Sequence, residues 1–317
     1  MTRAIEIEDL TKDYSVGFWR PRPYRALDRL TLAVEPGEVF GFLGPNGAGK
    51  TTTLKLLMQL VFPTAGRAEI LGRPVGDLAV RRRIGYLPEN PYFYDNLTAE
   101  ELLQYFGSLF GYGAAERRTR ATRLLDLVGV GAERRLQLRK YSKGMIQRVG
   151  IAQALLNDPE VVFLDEPMSG LDPLGRRDVR ELILKLRDDG TTVFFSSHIL
   201  SDAETLCTRA AIVAGGRLAT VGQLGEMAAY EARGWEVVLT GVPADALIRL
   251  PKGVTTRSIA GGRHSFHLPA DIRPEPFVAA MAASGAQLVS VTTVHTTLEE
   301  VFVKYVAGTT SAREGAL

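Results

Sequence analysis

The sequence predicts an α/β fold built around a parallel sheet, followed by a smaller α+β domain. Three features support this prediction: a glycine-rich segment at residues 44–52, an unbroken apolar run at 161–164, and alternating strands and helices after residue 226. The first two place short buried strands next to polar segments, as in parallel sheets that are covered on both faces. At 317 residues, the chain is long enough for two domains.

The glycine-rich segment has the pattern G-x-x-x-x-G-K-[ST] of a phosphate-binding loop, between a predicted strand at 38–43 and a predicted helix at 52–58. In this context main-chain N–H groups and the helix N-terminus face phosphate oxygens. We expect Lys50 to reach the β- and γ-phosphates and the Thr51 hydroxyl to ligate Mg²⁺. The loop residues predicted to bind nucleotide are Gly44, Pro45, Asn46, Gly47, Ala48, Gly49, Lys50, Thr51 and Thr52.

Composition limits the classes of function. The formal net charge of +2 argues against a dedicated nucleic-acid binder. Cys207 is the only cysteine, so no disulfide can form within the chain, and a reducing compartment is expected. The sequence has no signal-peptide pattern and no apolar run near the roughly 20 residues of a membrane helix. We therefore expect a soluble chain that meets a membrane only through a partner.

The N-terminal segment predicts strands around an irregular loop. Residues 4–10 alternate apolar and acidic side chains, which predicts a half-exposed strand, and a second strand is predicted at 27–34. The prolines within 15–25 predict an irregular loop between them. Tyr14 is the candidate to stack on adenine, with Trp19 as the alternative; both could instead attach the loop to the core.

The middle of the chain predicts a mostly helical insertion. Thr98 and Glu101 match the two ends of a capping box, and residues 99–140 read as helices interrupted by glycines. Ser142 is a plausible N-cap for a further helix, predicted at 146–156. These helices would interrupt the α/β core.

Two predicted core strands end in polar residues. The run at 161–164 continues into Asp165 and Glu166, and a strand at 192–195 is followed by His198. The carboxyl ends of parallel strands share the sheet edge that faces the ligand. We expect Asp165 to bind Mg²⁺ through water, Glu166 to polarise the attacking water and His198 to face the γ-phosphate. The alternatives are a capping acid pair and a structural histidine.

In combination, these segments resemble the ATP-binding subunit of an ABC transporter over roughly residues 4–225. Segment 44–51 resembles the Walker A loop, and 161–165 resembles the Walker B strand, with Glu166 in the place of the catalytic glutamate. Segment 169–172 resembles the D-loop. The resemblance implies ATP as the nucleotide and Mg²⁺ as its metal.

Further family positions are matched elsewhere. His198 is similar to the switch histidine, and Tyr14 to the adenine-stacking aromatic. Residues 141–145 resemble the signature usually written LSGGQ, of which Ser142 and Gly144 are kept. The conserved hydroxyl and amide are the groups that meet phosphate in this family.

Three positions depart from the usual family pattern. Lys143 and Met145 differ within the signature, and Glu89 stands where most members have the Q-loop glutamine. Glu89 keeps an oxygen that could face Mg²⁺-bound water but lacks the amide donor. These departures resemble those of bacterial subunits that pair with ABC-2 type exporter permeases, which include drug and antibiotic exporters.

The resemblance also implies an architecture and a dimer. The expected cassette has a RecA-like core, an antiparallel β subdomain and a helical subdomain at about residues 89–157. Two subunits, most simply identical, would enclose two ATPs head to tail. Each ATP would meet one subunit's Walker motifs and the other subunit's Ser142 and Gly144. Asp172, in the D-loop-like segment, is also predicted to bind nucleotide.

The implied membrane partner is an integral ABC-2 type permease. It would hold this chain on the cytoplasmic face of the cell membrane, and no nucleic-acid partner is expected. Tyr92, Phe93 and Tyr94 are candidate docking aromatics, unless they fill the core of the helical subdomain.

Two other functions are weighed against transport. A soluble ABC ATPase acting on ribosomes or nucleic acid is disfavoured, because the chain has one cassette and no coiled-coil or zinc insertion. A regulatory module that holds ATP without hydrolysis is disfavoured by Glu166 and His198.

The C-terminal residues 226–307 predict a small domain of βαββαβ order, similar to a ferredoxin-like fold. His264 and His267 are three apart in or beside a strand, so they should face different ways and form no metal site. Residues 298–302 resemble the tail of accessory domains in this exporter class, and the domain is expected to tune dimer closure. Residues 308–317 are predicted to be disordered.

Overall fold

A computed structural model describes residues 2–17, 19, 22–224, 232–248 and 250–295. The chain divides into two compact units, of which the first extends to Leu224 and the second is described from Ala232 to His295. No helix within these described ranges is both long and apolar enough to cross a membrane. Three predicted features lie outside the described residues: the boundary at 225–226, the family-like segment 298–302 and the tail 308–317.

The first unit combines two sheets with surrounding helices. Its strands are β1 (Ile5–Val16), β2 (Arg22–Val34), β3 (Val39–Leu43), β4 (Ala65–Ile70), β5 (Arg73–Pro74), β6 (Ile84–Leu87), β7 (Val161–Asp165), β8 (Thr192–Ser197), β9 (Arg209–Ala214) and β10 (Arg217–Gln223). Its helices are α1 (Lys50–Leu57), α2 (Leu78–Arg81), α3 (Ala99–Leu109), α4 (Ala114–Leu127), α5 (Lys143–Ala154), α6 (Pro173–Asp188) and α7 (Leu200–Leu206), with a 3₁₀ turn at Leu138–Lys140.

The central sheet has the spatial order β10-β9-β3-β8-β7-β6. Strands β3, β6, β7, β8 and β9 run parallel, and β10 pairs antiparallel with β9. Every residue of β3, β7 and β8 is buried, as the predicted apolar runs require. The ring of Phe194 lies 5.3 to 5.7 Å from the rings of Phe40, Phe42 and Phe163, so aromatic side chains from three adjacent strands pack together in the core.

The second sheet of this unit is antiparallel, with the order β2-β1-β4-β5. The predicted irregular loop at 15–25 is wrong, because β1 continues to Val16 and β2 already begins at Arg22. Pro23 pairs with Ser15 inside this hairpin. Since β2 is an edge strand, a proline without an N–H can face outward there without breaking the ladder.

The helical insertion follows its predicted caps. Thr98 and Glu101 form both bonds of a capping box at the start of α3. The Ser142 hydroxyl accepts the Met145 N–H, so Ser142 is the N-cap of α5. This helix therefore begins at Lys143 and ends at Ala154, about three residues before the predicted start at 146 and two before the predicted end at 156.

The second unit contains β11 (Ala232–Thr240), α8 (Ala244–Ile248), β12 (Thr255–Ile259), β13 (Arg263–Pro269), α9 (Pro274–Ala283) and β14 (Gln287–His295). Its elements follow the predicted βαββαβ order, and its antiparallel sheet has the order β12-β13-β11-β14. Val237, Leu239 and Phe266 of the sheet pack with Phe277 and Met281 of α9 in one apolar core.

Candidate active site

The polar ends of three neighbouring parallel strands meet at one edge of the central sheet. β3 pairs with β8 so that Leu43 lies opposite Ser197, and β7 pairs with β8 so that Asp165 lies opposite Ser196. The Gly44 N–H, at the end of β3, donates to the Ser197 carbonyl at 3.2 Å. This register brings the segments that follow the three strands to a common site.

The predicted phosphate loop follows β3 and leads into α1. Gly49 has a φ of 105° and is the residue before the helix, where a Cβ would lie 2.8 Å from the Ala26 carbonyl oxygen. Glycine is therefore required here by both conformation and space. No side chain caps the first N–H groups of α1, so these donors and the positive end of the helix dipole are available to an anion.

Lys50, Glu166 and His198 form a continuous polar chain at this edge. The Lys50 ammonium donates to the carbonyl oxygens of Gly44 at 2.7 Å and Pro45 at 3.3 Å. It also lies 3.1 Å from Glu166 Oε1 as an ion pair. The other Glu166 oxygen, Oε2, is 2.8 Å from His198 Nδ1. Glu166 is thus fixed between a cation and an imidazole, with both Lys50 and Glu166 buried.

The backbone at Glu166 is held in an unfavourable conformation. Its φ is 49°, in the left-handed region, which costs a residue with a Cβ roughly 1–2 kcal/mol. The Ser196 hydroxyl accepts the Glu166 N–H at 3.0 Å and donates to Asp165 Oδ1 at 2.6 Å. Ser196 therefore holds both carboxylate residues in place. The sequence gives no signal for this role, because a serine in a buried strand is not distinctive until the strands are paired.

Asp165 has the features of a metal ligand. Its carboxyl is buried, and Oδ2 has no hydrogen-bond partner. Burial raises the pKa of this carboxyl, the Ser196 and Thr51 hydroxyls lower it, and the charges of Glu89 and Glu166 raise it further; the pKa is raised on balance. A buried carboxylate oxygen without a donor, beside the Thr51 hydroxyl, fits Mg²⁺, which prefers oxygen ligands and keeps several waters.

A cavity of about 520 Å³ lies over these groups. It contains most predicted site residues, together with Ser169 of the D-loop-like segment, and adds two that the sequence did not indicate: Tyr24 and Ala26. Ala48 does not line it, because its methyl group is buried in the core. The predicted residues along the cavity are Tyr14, Pro45, Asn46, Gly47, Gly49, Lys50, Thr51, Thr52, Glu89, Glu166 and His198.

Three further predicted residues lie around a second cavity, of about 350 Å³, whereas Gly44 and Asp165 line neither of these two cavities. Ser142 and Gly144 at the start of α5 line it together with Asp172, whose carboxylate accepts the Gly175 N–H at the start of α6. Lys143 extends over Gly170, since a Cβ on that glycine would lie 2.5 Å from the Lys143 Nζ. Within one copy of the chain, the predicted site residues are therefore divided between two separate surfaces.

Comparison with known proteins assigns the family. The profile described as ABC transporter matches residues 27–169. An uncharacterised ABC transporter ATP-binding protein of Synechocystis is 48% identical over 303 residues, which cover 95% of this chain and 84% of that protein. The chain belongs to the ABC transporter ATP-binding proteins.

Other ABC proteins agree with this assignment. The bacitracin transport ATP-binding protein of Bacillus licheniformis is 41% identical over 221 residues, which cover 69% of each chain. The dimeric post-hydrolysis structure of an ATP-binding cassette with ADP and Pi superposes with a TM-score of 0.64 at 28% identity, covering 69% of this chain and 98% of that cassette.

The predicted fold class and function are therefore confirmed: this chain is the ATPase subunit of an ABC transporter, and it hydrolyses ATP to support transport. ABC ATPase cassettes as a class form dimers and work with membrane permease components. Nothing in the comparisons supports the ribosome or nucleic-acid alternative. The Synechocystis relative matches nearly the whole chain, so the likeness extends past the cassette into the second unit.

Proposed function

We propose that this ATPase powers export through a separate ABC-2 type permease, from the cytoplasmic face of the cell membrane. Relatives with named roles support this direction. They include ATP-binding proteins of bacitracin transport, daunorubicin and doxorubicin resistance, and Nod factor export. The departures at Glu89, Lys143 and Met145 point to the same exporter class.

The observation that carries the proposed chemistry is the Lys50–Glu166–His198 chain at the sheet edge. Lys50 would bind the β- and γ-phosphates, replacing its present bonds to loop carbonyls. Glu166 would polarise the attacking water, and His198 would hold the Glu166 carboxylate through Nδ1 while its exposed part faces the γ-phosphate. The strained backbone of Glu166 fits such a role.

Thr51 and Asp165 would hold Mg²⁺, whose positive charge would offset the negative charge of the phosphates. Glu89 lines the same cavity and acts on Asp165 through its charge, so we assign it to the water shell of the metal. Within the described residues, no group of three or more acidic, histidine or cysteine side chains is arranged to hold a metal. This pattern suits Mg²⁺, which is bound through one or two carboxylates, waters and substrate phosphates.

We further propose that the functional unit is a homodimer. Ser142, Gly144 and Asp172 line a cavity apart from the one that contains Lys50 and Glu166. A head-to-tail pair would place the α5 N-terminus of one subunit against the phosphates in the other. Neither ATP site would then be complete without the second copy.

The proposed permease surface lies on the helical insertion. Tyr92 is 93% exposed and Tyr94 is 62% exposed, whereas Phe93 is half-buried against Phe106. Tyr94 also meets the ring of Tyr105 edge-on, with 6.1 Å between centroids. Tyr92 and Tyr94 are therefore the aromatic anchors that we assign to the permease, whereas Phe93 packs within the insertion.

The second unit is proposed to tune closure of the dimer. A chain ending near residue 225 should then change the permease-coupled ATPase rate and the transport rate. Unchanged values of both would show that the second unit does not contribute to closure.

Transport direction tests the proposed function. The chain would be co-expressed and co-purified with a candidate six-helix ABC-2 type permease and placed in vesicles with the ATPase outward. We expect ATP to drive substrate into these vesicles, and Glu166→Gln to stop this uptake. Failure to co-purify with the permease, or ATP-driven release from the vesicles, would contradict the proposed export function.

A further inference from the structure

The hairpin of β1 and β2 carries two tyrosines at the same level. Tyr14 and Tyr24 are register partners, and directly opposed residues of an antiparallel pair project from the same face, with Cβ atoms about 4.5–5.5 Å apart. Both line the cavity that contains the phosphate loop. We propose that Tyr24 contacts the nucleotide base together with Tyr14. The inference rests on the proposed binding of ATP in this cavity.

Tyr14 and Tyr24 provide the main surfaces in this cavity for a planar base. Ala26 also lines the cavity but contributes only a methyl group. Tyr24 is 44% exposed, so a large amphipathic ring is presented to solvent beside the phosphate loop. An aromatic ring in this position can stack on any base, because every base has a π-face.

Neighbouring contacts fix the hairpin at the level of the rings. The Lys12 ammonium lies 5.0 Å from the centroid of the Tyr14 ring and donates to the Phe62 carbonyl at 2.7 Å. Next to Tyr24, the Arg25 guanidinium binds both carboxylate oxygens of Asp13, at 2.8 and 3.1 Å. The Arg25–Asp13 pair holds the two strands together beside the tyrosines, and Lys12 attaches β1 to the segment at Phe62, so less ordering is required when a base binds.

Removal of the Tyr24 ring should weaken nucleotide binding and leave phosphate binding intact. From the strength of base stacking on aromatic side chains, Tyr24→Ala should lower affinity for the ATP analogue AMP-PNP about 5- to 100-fold. The affinity of Tyr24→Ala for the corresponding GTP analogue should fall by a similar factor. Inorganic tripolyphosphate has no base, so its affinity should not change. The KM for ATP should rise, with kcat at saturating ATP unchanged.

The experiment is titration calorimetry of the full chain with Mg²⁺ and each probe. Tyr24→Phe keeps the ring and should bind AMP-PNP like the wild type. Val16→Ala is the matched control, because this exposed side chain lies on the same hairpin, two positions from Tyr14 and outside the cavity lining. It should leave all affinities unchanged.

The outcomes separate this inference from the proposed function. Equal AMP-PNP affinity of Tyr24→Ala and the wild type, with both binding tripolyphosphate, would overturn the role of Tyr24 alone. A parallel loss of tripolyphosphate and AMP-PNP affinity in Tyr24→Ala would indicate a structural role and would also overturn the inference. A wild-type chain that binds neither probe would contradict the proposed nucleotide site itself.

Discussion

Ser196, the second-last residue of β8, is the most informative single position for the geometry of the site. Ser196 is fully buried, donates to Asp165 Oδ1 and accepts the Glu166 N–H. Ser196→Ala removes both bonds at once. Asp165 Oδ2 already lacks a hydrogen-bond partner. In the Ser196→Ala variant, the Asp165 carboxyl group would therefore have no strong donor from β8, and the Glu166 N–H would also be unpaired.

The magnitude follows from counting the groups left unpaired. Each buried polar group that loses its partner costs about 1–3 kcal/mol, so Ser196→Ala, which leaves two such groups, should lower the free energy of unfolding by about 2–6 kcal/mol. The ATPase rate should fall as well, because the strained backbone of Glu166 loses a supporting bond. Urea unfolding followed by circular dichroism measures the first effect, and steady-state phosphate release measures the second.

Ser197→Ala provides the matched control. Ser197 is also buried, but its hydroxyl bonds only to the backbone of Ile199, two residues away. Ser197→Ala should lower the free energy of unfolding by about 1 kcal/mol, with little change in turnover. Equal stability losses in the two variants, or normal turnover in Ser196→Ala, would refute the proposed bridging role of Ser196.

Three further predictions concern the metal, the phosphates and the permease. Asp165→Asn should stop Mg²⁺-dependent hydrolysis yet stabilise the fold at neutral pH. The folded pKa of Asp165 is raised above 3.8, so its contribution to stability is present below that value and lost as pH rises through the folded pKa. The advantage of the variant in urea unfolding should therefore grow with pH from about 4 up to the folded pKa and stay constant above it, and an advantage that does not change across that range would contradict the prediction. Lys50→Ala should lose AMP-PNP affinity in calorimetry, because the cation facing the phosphates is removed; unchanged binding would remove Lys50 from the phosphate site. Tyr92→Ala combined with Tyr94→Ala should keep basal ATPase activity but lose permease-stimulated activity and co-purification, and full stimulation would place the permease elsewhere.

The strands and helix caps of the cassette could be predicted because their signals are local. The apolar run before Asp165 must be buried on both faces, and Thr98 with Glu101 satisfies the first N–H groups of α3. The closeness of Asp165, Glu166 and His198 also followed, since parallel strands end at a common edge.

Other features depend on pairing and could not be read from the chain alone. Pro23 indicated a loop, but its strand lies at a sheet edge, where a missing N–H is tolerated. Tyr24 lies within that predicted loop, and its proposed role in base binding follows only from its pairing with Tyr14 in the hairpin. Ser196 gains its role from the neighbouring strand β7, which is about 30 residues away in sequence. In each case the deciding partner is distant along the chain.

The mass of the ATP-bound chain tests the central claim most directly. Glu166→Gln should bind ATP without hydrolysing it, so two copies should remain closed around the nucleotides. Light scattering after size exclusion should then give twice the chain mass of 34.6 kDa with ATP and Mg²⁺, and the mass of one chain without nucleotide. A variant that carries bound ATP yet keeps the single mass at every protein concentration would contradict the shared ATP sites.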